Sequence, residues 1–454
     1  MRTFEMVEAR VSKSFPQVSF VLSTRDRCDV LLHTLAQINA CGLAAGTFDI
    51  HVVDNASTDG TQRRVREAFP DVRLIPLRQN RGAVAKNLAL EGALGQYVVF
   101  LDDDSYPEPG SVGRMIEHFD ADAKLGAATF TITLPDGRRE CSAYQDVFIG
   151  CGVGFRRRVL RMLGGLPDDF FMQAEEYDLS LRLLDAGWRV RTFDDLHVTH
   201  LKTPRARANA RTMRMDVRNN LHLTLRHFPR RHVLPYAMDW MRRYAWIAKA
   251  SGRRTAFAHG VIEGILRSAV RPKRVVINEA AFEQFSRLAQ TTELLLASLK
   301  ALPTDIGASE SRGTGSPSPG TYLSAAPKHG LKKRARPTSC ARVVLIDVGK
   351  NVYAYWRACR TLGVEIVAIA DEKLAAPGRK YRGIPVVTDA TAAKLAYDAA
   401  VVANTSPVHA STRRVQWRSA QEKPVIDLFE SAGLSISDAR RAASESRRIV
   451  ARSA

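Results

Sequence analysis

The chain has 454 residues, 45% hydrophobic and 25% charged, which excludes a disordered polymer and leaves room for two or three ordinary domains. Lys and Arg outnumber Asp and Glu by 67 to 47, a net +20 that by itself would suit a polyanionic partner. The excess is uneven: residues 1–200 carry 23 basic and 28 acidic side chains, residues 201–300 carry 20 and 6, and residues 301–454 carry 24 and 13. A protein that wraps nucleic acid along its whole length is thereby disfavoured and nucleic acid is not an expected partner, although the net charge keeps a non-catalytic nucleic-acid-binding protein as the alternative reading. The six cysteines show no CxxC pair, as expected of reduced thiols, and no apolar run reaches the ~20 residues of a membrane span. The first residues, MRTFEMVEARVSKSF, lack the apolar core of a secretion signal. A cytoplasmic location is expected.

From residue 18 the chain alternates apolar runs with helical stretches, the pattern of an α/β domain with a largely parallel sheet. Strands are predicted at 18–22 (VSFVL), 50–53 (IHVV), 72–76 (VRLIP) and 97–101 (YVVFL), and helices at 29–38, 61–69 and 83–92. From 205 to about 300 the patterns are long, basic and helical, as in MRMDVRNNLHLTLRHF and MDWMRRYAWIAKA. Residues 303–340 concentrate Ser, Gly, Pro, Thr and then basic residues, the composition of a disordered linker. Beyond it, ARVVLIDVGKNVYAYWRACRTLGVEIVAIAD, IPVV, AAVVAN and KPVIDL read as strand, turn, helix and further strands of a second, smaller α/β domain.

The most informative stretch is VFLDDD at 99–104, an apolar strand that runs into three consecutive carboxylates. Ligands of open α/β sheets bind at the carboxyl ends of strands, so Asp102, Asp103 and Asp104 stand where chemistry is expected. Alternate residues of an extended segment point the same way, which lets Asp102 and Asp104 address one ligand. Three adjacent anions call for a cation, and a hard divalent ion takes one or two carboxylates together with substrate phosphate oxygens. A solvated acidic turn is the alternative. Strand ends also carry Ser23 to Arg27, Asp54 to Thr61 and Asn80 to Ala83, polar sets suited to a nucleotide. Asp54 can accept from a base or ribose, and Ser57 to Gly60 can cap the helix at Thr61.

Taken in order, VSFVLSTRDR, VVDNASTDGT, NRGAVAKN, VFLDDDSYP, GCGVGFRRRVL and GGLPDDFFMQAEEYDLSLRLLDAGWRV with the following His200 resemble the family 2 glycosyltransferases, inverting enzymes of the GT-A fold. The resemblance spans residues 17–230. It implies a nucleotide-diphosphate sugar held by Thr24, Arg27, Asp54, Asn80, Gly82, Asp102 and Asp103, with Mn²⁺ or Mg²⁺ on Asp104 and His200. By position Glu176 would be the general base, although the family often has Asp there, and Glu175 and Asp178 stand as rivals. Asp178 also reads as a helix N-terminal residue favoured by the macrodipole. Gly150, Gly152 and Gly154 would let backbone approach the sugar or acceptor, or form a tight turn before a helix.

A glycan or lipid-linked acceptor, in envelope or capsule polysaccharide synthesis, is the expected second substrate. The basic segment 201–300, with Phe228, Met238, Trp240, Tyr244 and Trp246 and including the helical extension 231–302, is expected to touch anionic membrane or to form a helical bundle with a solvated basic face. In residues 341–454 the turn DVGKNVY lacks the second and third glycines of a dinucleotide fingerprint, while Asp371 lies near the ~20-residue offset of a ribose-binding acid. A degenerate Rossmann-like module is expected there, with an active NAD-dependent domain as the alternative.

Overall fold

A computed structural model describes residues 16–202, 210–270, 274–302, 341–420 and 423–429. The predicted linker lies outside the described residues. The chain begins β1 (Val18–Thr24), α1 (Cys28–Asn39), β2 (Phe48–Asp54), α2 (Thr61–Ala68) and β3 (Arg73–Pro76). A 3-10 stretch at Gly82–Ala89 replaces the α-helix predicted over 83–92, and the Asn87 side chain there bonds the backbone of Leu166. Next come β4 (Tyr97–Phe100), β5 (Ser105–Pro107), α3 (Ser111–Ala121), β6 (Leu125–Thr133) and β7 (Arg139–Glu140). The first sheet is completed by β8 (Val153–Arg156) and β9 (Arg189–His200), with α4 (Arg157–Met162) and α5 (Glu175–Asp185) between them.

These nine strands form one mixed sheet in the order β3-β2-β1-β4-β8-β6-β9-β5, with β7 on β6. The first four are mutually parallel, and β8 runs against β4. Strand residues alternate between two cores. Phe20, Leu22, Tyr97 and Val99 join α1 and α3 on one face, while Val21, Val98 and Phe100 join α5 and the later helices on the other. In α1 the buried residues Leu31, Leu35 and Ile38 recur at helical spacing, so the helix closes that face. β1 lies between β2, whose connection to it runs one way, and β4, which is reached the other way. The loops after β1, β2 and β4 therefore open at a switch point.

The helical part comprises α6 (Ala210–His227), α7 (Arg230–Ala250), α8 (Arg254–Val270), α9 (Glu279–Ser286) and α10 (Leu288–Lys300). It corrects one expectation. Phe228, Trp240 and Tyr244 are core residues, enclosed by Tyr236, Phe282 and Phe285, and are not available to a lipid surface. Burying three large rings in this way favours packing over exposure by about 1.5–3 kcal/mol each. Among the described residues no helix is long and apolar enough to cross a membrane.

The last part runs β10 (Arg342–Ile346), α11 (Val352–Leu362), β11 (Glu365–Ala370), β12 (Lys380–Tyr381) and β13 (Ile384–Val387). It ends with α12 (Asp389–Ala393), β14 (Ala399–Val402), α13 (Pro407–Ala420) and β15 (Val425–Ile426). The sheet order is β12-β13-β11-β10-β14-β15, parallel except at β12. This second sheet domain shares an apolar core with the first part. Tyr353 packs on Tyr236 with ring centres 5.1 Å apart, and Tyr381 donates to Asp239 at 2.5 Å. Asp371 does not face outward to a ribose: its two oxygens accept from the amides of Val348, Lys373 and Leu374.

Candidate active site

The three consecutive carboxylates have three different environments. Asp103 turns inward, where Thr24 Oγ1 donates to it at 2.8 Å and Arg27 Nη1 at 2.6 Å. Burial pushes its carboxyl up to about 7, against the pull of Arg27 and Thr24. Asp104 is fully buried between Arg27 Nη2 at 2.7 Å and His200 Nε2 at 3.2 Å. Burial opposes its ionisation, but the bonds and charges of His200 and Arg27 prevail and hold it far below the ordinary carboxylate range. Asp102 keeps 42% of its side chain exposed and is bonded by Lys86 Nζ at 3.1 Å. Burial works to raise it, and Lys86 with His200 outweighs that and lowers it.

Thr24 and Arg27, expected at the nucleotide, thus stand behind the acidic turn and fix it from the end of β1. Thr34 adds a bond to the Asp103 carbonyl. His200, the last residue of β9, pairs with Ser105 across the sheet edge, which brings it beside the turn although it is 96 positions from Asp104 in sequence. One ligand atom each from Asp102, Cys151 and His200 lie within 4.8 Å of one another. The carboxylate and imidazole in this set fit a divalent cation such as Mn²⁺, and the thiol adds a softer donor. Asp102 therefore joins His200 on the open side of the cluster, with Asp104 bonded behind it. Cys151 lies within the GCGVGF run just before β8, where the glycines and not the thiol mark the motif.

Of the other residues expected at the nucleotide, Asp54 ends β2 beside Thr24, and Asn80 and Gly82 lie in the turn that follows β3. Asp54 accepts from the Ser57 amide and from Gln62 Nε2. The N-cap of α2 is Gly60, which makes no side-chain cap bond; Asp59 before it accepts from the Thr61 amide at 3.1 Å and from the Cys28 amide at 3.0 Å. Asn80 accepts from the Gly82 amide at 2.8 Å and closes the turn. Gly82 has φ +72°, and a Cβ there would collide with the carbonyl oxygen of Phe171. Only glycine lets these two loops meet. The Ala83 amide then donates to that same oxygen at 2.8 Å. The glycines of GCGVGF divide: Gly152 and Gly154 are tight against Ile132, Val198 and Met115 in the core, whereas Gly150 faces Glu176 Oε1.

Glu176 sits in the first turn of α5, partly exposed. Burial raises its carboxyl above the ordinary range and Asp102 adds to the rise, while its own amide, Gly150 and Lys86 pull the other way. The preceding loop is unusual in holding three non-glycine residues at positive φ: Phe171 at 65°, Gln173 at 72° and Ala174 at 65°. Such backbone costs of order 1–3 kcal/mol per residue and persists only where its surroundings fix it. Asn219 of α6 does this, donating through Nδ2 to the carbonyls of Phe170, Met172 and Gln173 at 2.7–3.0 Å. The buried Asn219-Asn220 pair inside a helix is the only trace this clamp leaves in the sequence.

Asp178, a rival for the base, is fully buried and bonded by Arg182 Nε and His227 Nε2, each at 2.6 Å. It is an anchor between α5 and α6, and the macrodipole is a secondary influence. Glu175 is buried with Oε2 lacking a hydrogen-bond partner, and burial raises its carboxyl well above the ordinary range. Of the three acids only Glu176 faces the cleft.

Residues 19–169 match the family described as Glycosyl transferase family 2. They form a family 2 glycosyltransferase domain. Its mixed sheet is the GT-A architecture implied by the ordered motifs. The glycosyltransferase domain is similar to an N-acetylglucosaminyl-diphospho-decaprenol L-rhamnosyltransferase of Mycobacterium tuberculosis H37Rv, 26% identical over 201 residues covering 33% of this chain and 66% of the relative. It is also similar to a poly-beta-1,6-N-acetyl-D-glucosamine synthase of Staphylococcus aureus MW2, 30% identical over 115 residues that cover 25% of this chain and 27% of the relative. A solved structure with a related outline is the mannosyltransferase PcManGT of Pyrobaculum calidifontis in complex with GDP-Man and Mn²⁺. It is 23% identical, with a TM-score of 0.39 over 62% of this chain and 81% of that one.

Proposed function

We propose that the protein is an inverting glycosyltransferase that moves a sugar from a nucleotide-diphosphate sugar to a glycan or lipid-linked acceptor in envelope or capsule polysaccharide synthesis. The observation that carries this reading is Lys86, which bonds Asp102 on one side at 3.1 Å and on the other the carbonyl of Gly150, the residue that faces Glu176, also at 3.1 Å. One buried cation thus ties Asp102 to the loop that faces Glu176. Similarity to an N-acetylglucosaminyl-diphospho-decaprenol L-rhamnosyltransferase and to a poly-beta-1,6-N-acetyl-D-glucosamine synthase supports this class of acceptor.

In the proposed reaction the sugar nucleotide lies along Asp54, the Asn80 to Gly82 turn and the acidic turn. Glu176 Oε accepts the acceptor's hydroxyl proton as that oxygen bonds the anomeric carbon. The bond to the diphosphate breaks on the opposite side, and its electron pair leaves with the diphosphate. A single displacement inverts the carbon, and a carboxylate base in reach of the proton is worth about 10²–10⁴-fold. A divalent ion held by Asp102 and His200, with Asp104 bonded behind them, would offset the charge gathering on the leaving group. Arg27 and Thr24 keep the acidic turn rigid while this occurs.

The basic helical part supports contact with the inner face of an anionic membrane by a route other than its aromatic residues. In α8, Ala256, Gly260 and Gly264 pack inward, and Ile262, Ile265, Leu266 and Val270 form an exposed apolar stripe. The surrounding segment 201–300, with 20 basic and 6 acidic side chains, complements anionic headgroups.

A thermal-shift screen of UDP-, GDP- and dTDP-sugars, with and without Mn²⁺, tests the function. A metal-dependent rise in Tm with one nucleotide class is expected. No shift with any sugar nucleotide, together with no release of nucleotide, would remove the proposal.

A further inference from the structure

In an open parallel sheet the crevice at the carboxyl ends of the central strands is the usual ligand site. In the second sheet domain that crevice lies beyond β10 and β14, at Asp347 to Asn351 and Asn404 to Ser406. It is applied to the glycosyltransferase part. The Val348 carbonyl accepts from Arg243 Nε at 3.0 Å, and the Lys350 carbonyl accepts from Tyr144 Oη at 3.0 Å and Trp240 Nε1 at 3.2 Å. Thr405 Oγ1 donates to the Ala143 carbonyl at 3.2 Å, and Ser406 Oγ lies 3.0 Å from Cys141 Sγ. The loop that would cradle a pyrophosphate is used as a joint between domains.

The joint sends one cation across. Lys350 Nζ donates to Asn220 Oδ1 at 3.0 Å and stands 4.3 Å from the ring centre of Tyr177, with Trp240 and Tyr244 at 5.4 and 5.8 Å. Tyr177 follows Glu176 directly in α5, and Asn220 follows the Asn219 that clamps the strained loop before it. Burial lowers the Lys350 ammonium to about 8 against the attraction of Asp216, with Arg243 opposing and Glu176 reinforcing its charge.

We infer that Lys350 is a positioning residue supplied by the second sheet domain, holding Tyr177 and through it Glu176 in place for proton transfer, so that docking of this domain completes the transferase site. The inference rests on the reading of Glu176 as the base. A nucleotide cofactor bound in the crevice of the second domain is incompatible with it, since the crevice is filled.

Three full-length variants test it: Lys350→Met, Lys350→Arg and Glu176→Gln. Amide hydrogen exchange over residues 175–181 needs no substrate. We expect at least tenfold faster exchange there in Lys350→Met, near wild-type exchange in Lys350→Arg, and a Tm within about 2 °C of wild type in both. Release of nucleoside diphosphate from UDP-GlcNAc and GDP-mannose with Mn²⁺ gives the second readout, in which Lys350→Met loses kcat at least tenfold with donor KM within twofold and Lys350→Arg recovers it. Unchanged exchange in Lys350→Met, or equal loss in Lys350→Arg, overturns the inference. Wild-type turnover by Glu176→Gln instead overturns the assignment of the base, while the exchange result still decides the role of Lys350.

Discussion

Lys86 Nζ lies 3.1 Å from Asp102 Oδ1, with the lysine side chain 3% exposed and the aspartate 42% exposed. The pair faces inward through its cation and outward through its anion, so the carboxylate is presented to a ligand with its charge already supported. Truncating the lysine removes that support from the carboxylate and leaves the Gly150 carbonyl without its Lys86 donor. We expect Lys86→Met to lower turnover at least tenfold and to weaken the Mn²⁺ dependence of sugar-nucleotide binding, measured by metal titration of the thermal shift.

The acid limb of the rate profile follows from Glu176. A base must be ionised, and burial has raised this carboxyl above the ordinary glutamate range. Activity is therefore present above the raised pKa and is lost as pH falls through it. A kcat profile should show its acid limb above the position of an exposed glutamate, and in Glu176→Asp the limb and the rate should both change.

Asp178 supplies a stability test. Burial opposes its charge, but His227, Arg182 and Arg226 prevail and hold its carboxyl far below the ordinary range. Because the folded value is depressed, the stabilisation is present above the unfolded pKa and disappears as pH falls through the folded one. Asp178→Asn leaves buried cationic partners without an anion, and denaturant unfolding should show a loss of about 3–5 kcal/mol.

Much of this site is readable in one dimension because strands end in chemistry. The run VFLDDD places three acids at a strand end, and β1, β2 and β4 appear within a residue or two of where apolar runs predict them, though β1 extends two residues further at its end and β2 two at its start and one at its end. What is not readable depends on pairings distant in sequence. The bonds of Thr24 and Arg27 to Asp103 join residues 79 and 76 positions apart, and Lys86 is one cation in a largely apolar stretch. Trp240 and Tyr244 look like lipid anchors because a basic helix with aromatics has the same composition whether its rings face a bilayer or a second domain.

Asn219→Ala removes the donor shared by three carbonyls of the strained loop. The Phe170 carbonyl keeps Arg218 Nη2 as a donor, whereas those of Met172 and Gln173 lose this bond, at about 1–3 kcal/mol for each acceptor left unpaired, enough to let Phe171 to Ala174 relax to negative φ. We expect a fall of at least tenfold in kcat with donor binding nearly unchanged, read from single-turnover kinetics beside the binding isotherm.

The exposed stripe of α8 can be tested apart from chemistry. Ile265→Glu with Leu266→Glu should abolish flotation with anionic vesicles at low salt while turnover on a soluble acceptor persists. Flotation equal to wild type would dismiss this helix as the contact, and a wild-type protein that stays at the bottom would dismiss the membrane contact itself.

The most direct measurement compares Glu176→Gln with wild type for both sugar-nucleotide binding and turnover, using the donor selected by thermal shift with Mn²⁺. The variant should bind that donor as wild type does and lose about 10²–10⁴-fold in turnover. Wild-type turnover in Glu176→Gln would contradict the role assigned to this carboxylate and, with it, the mechanism.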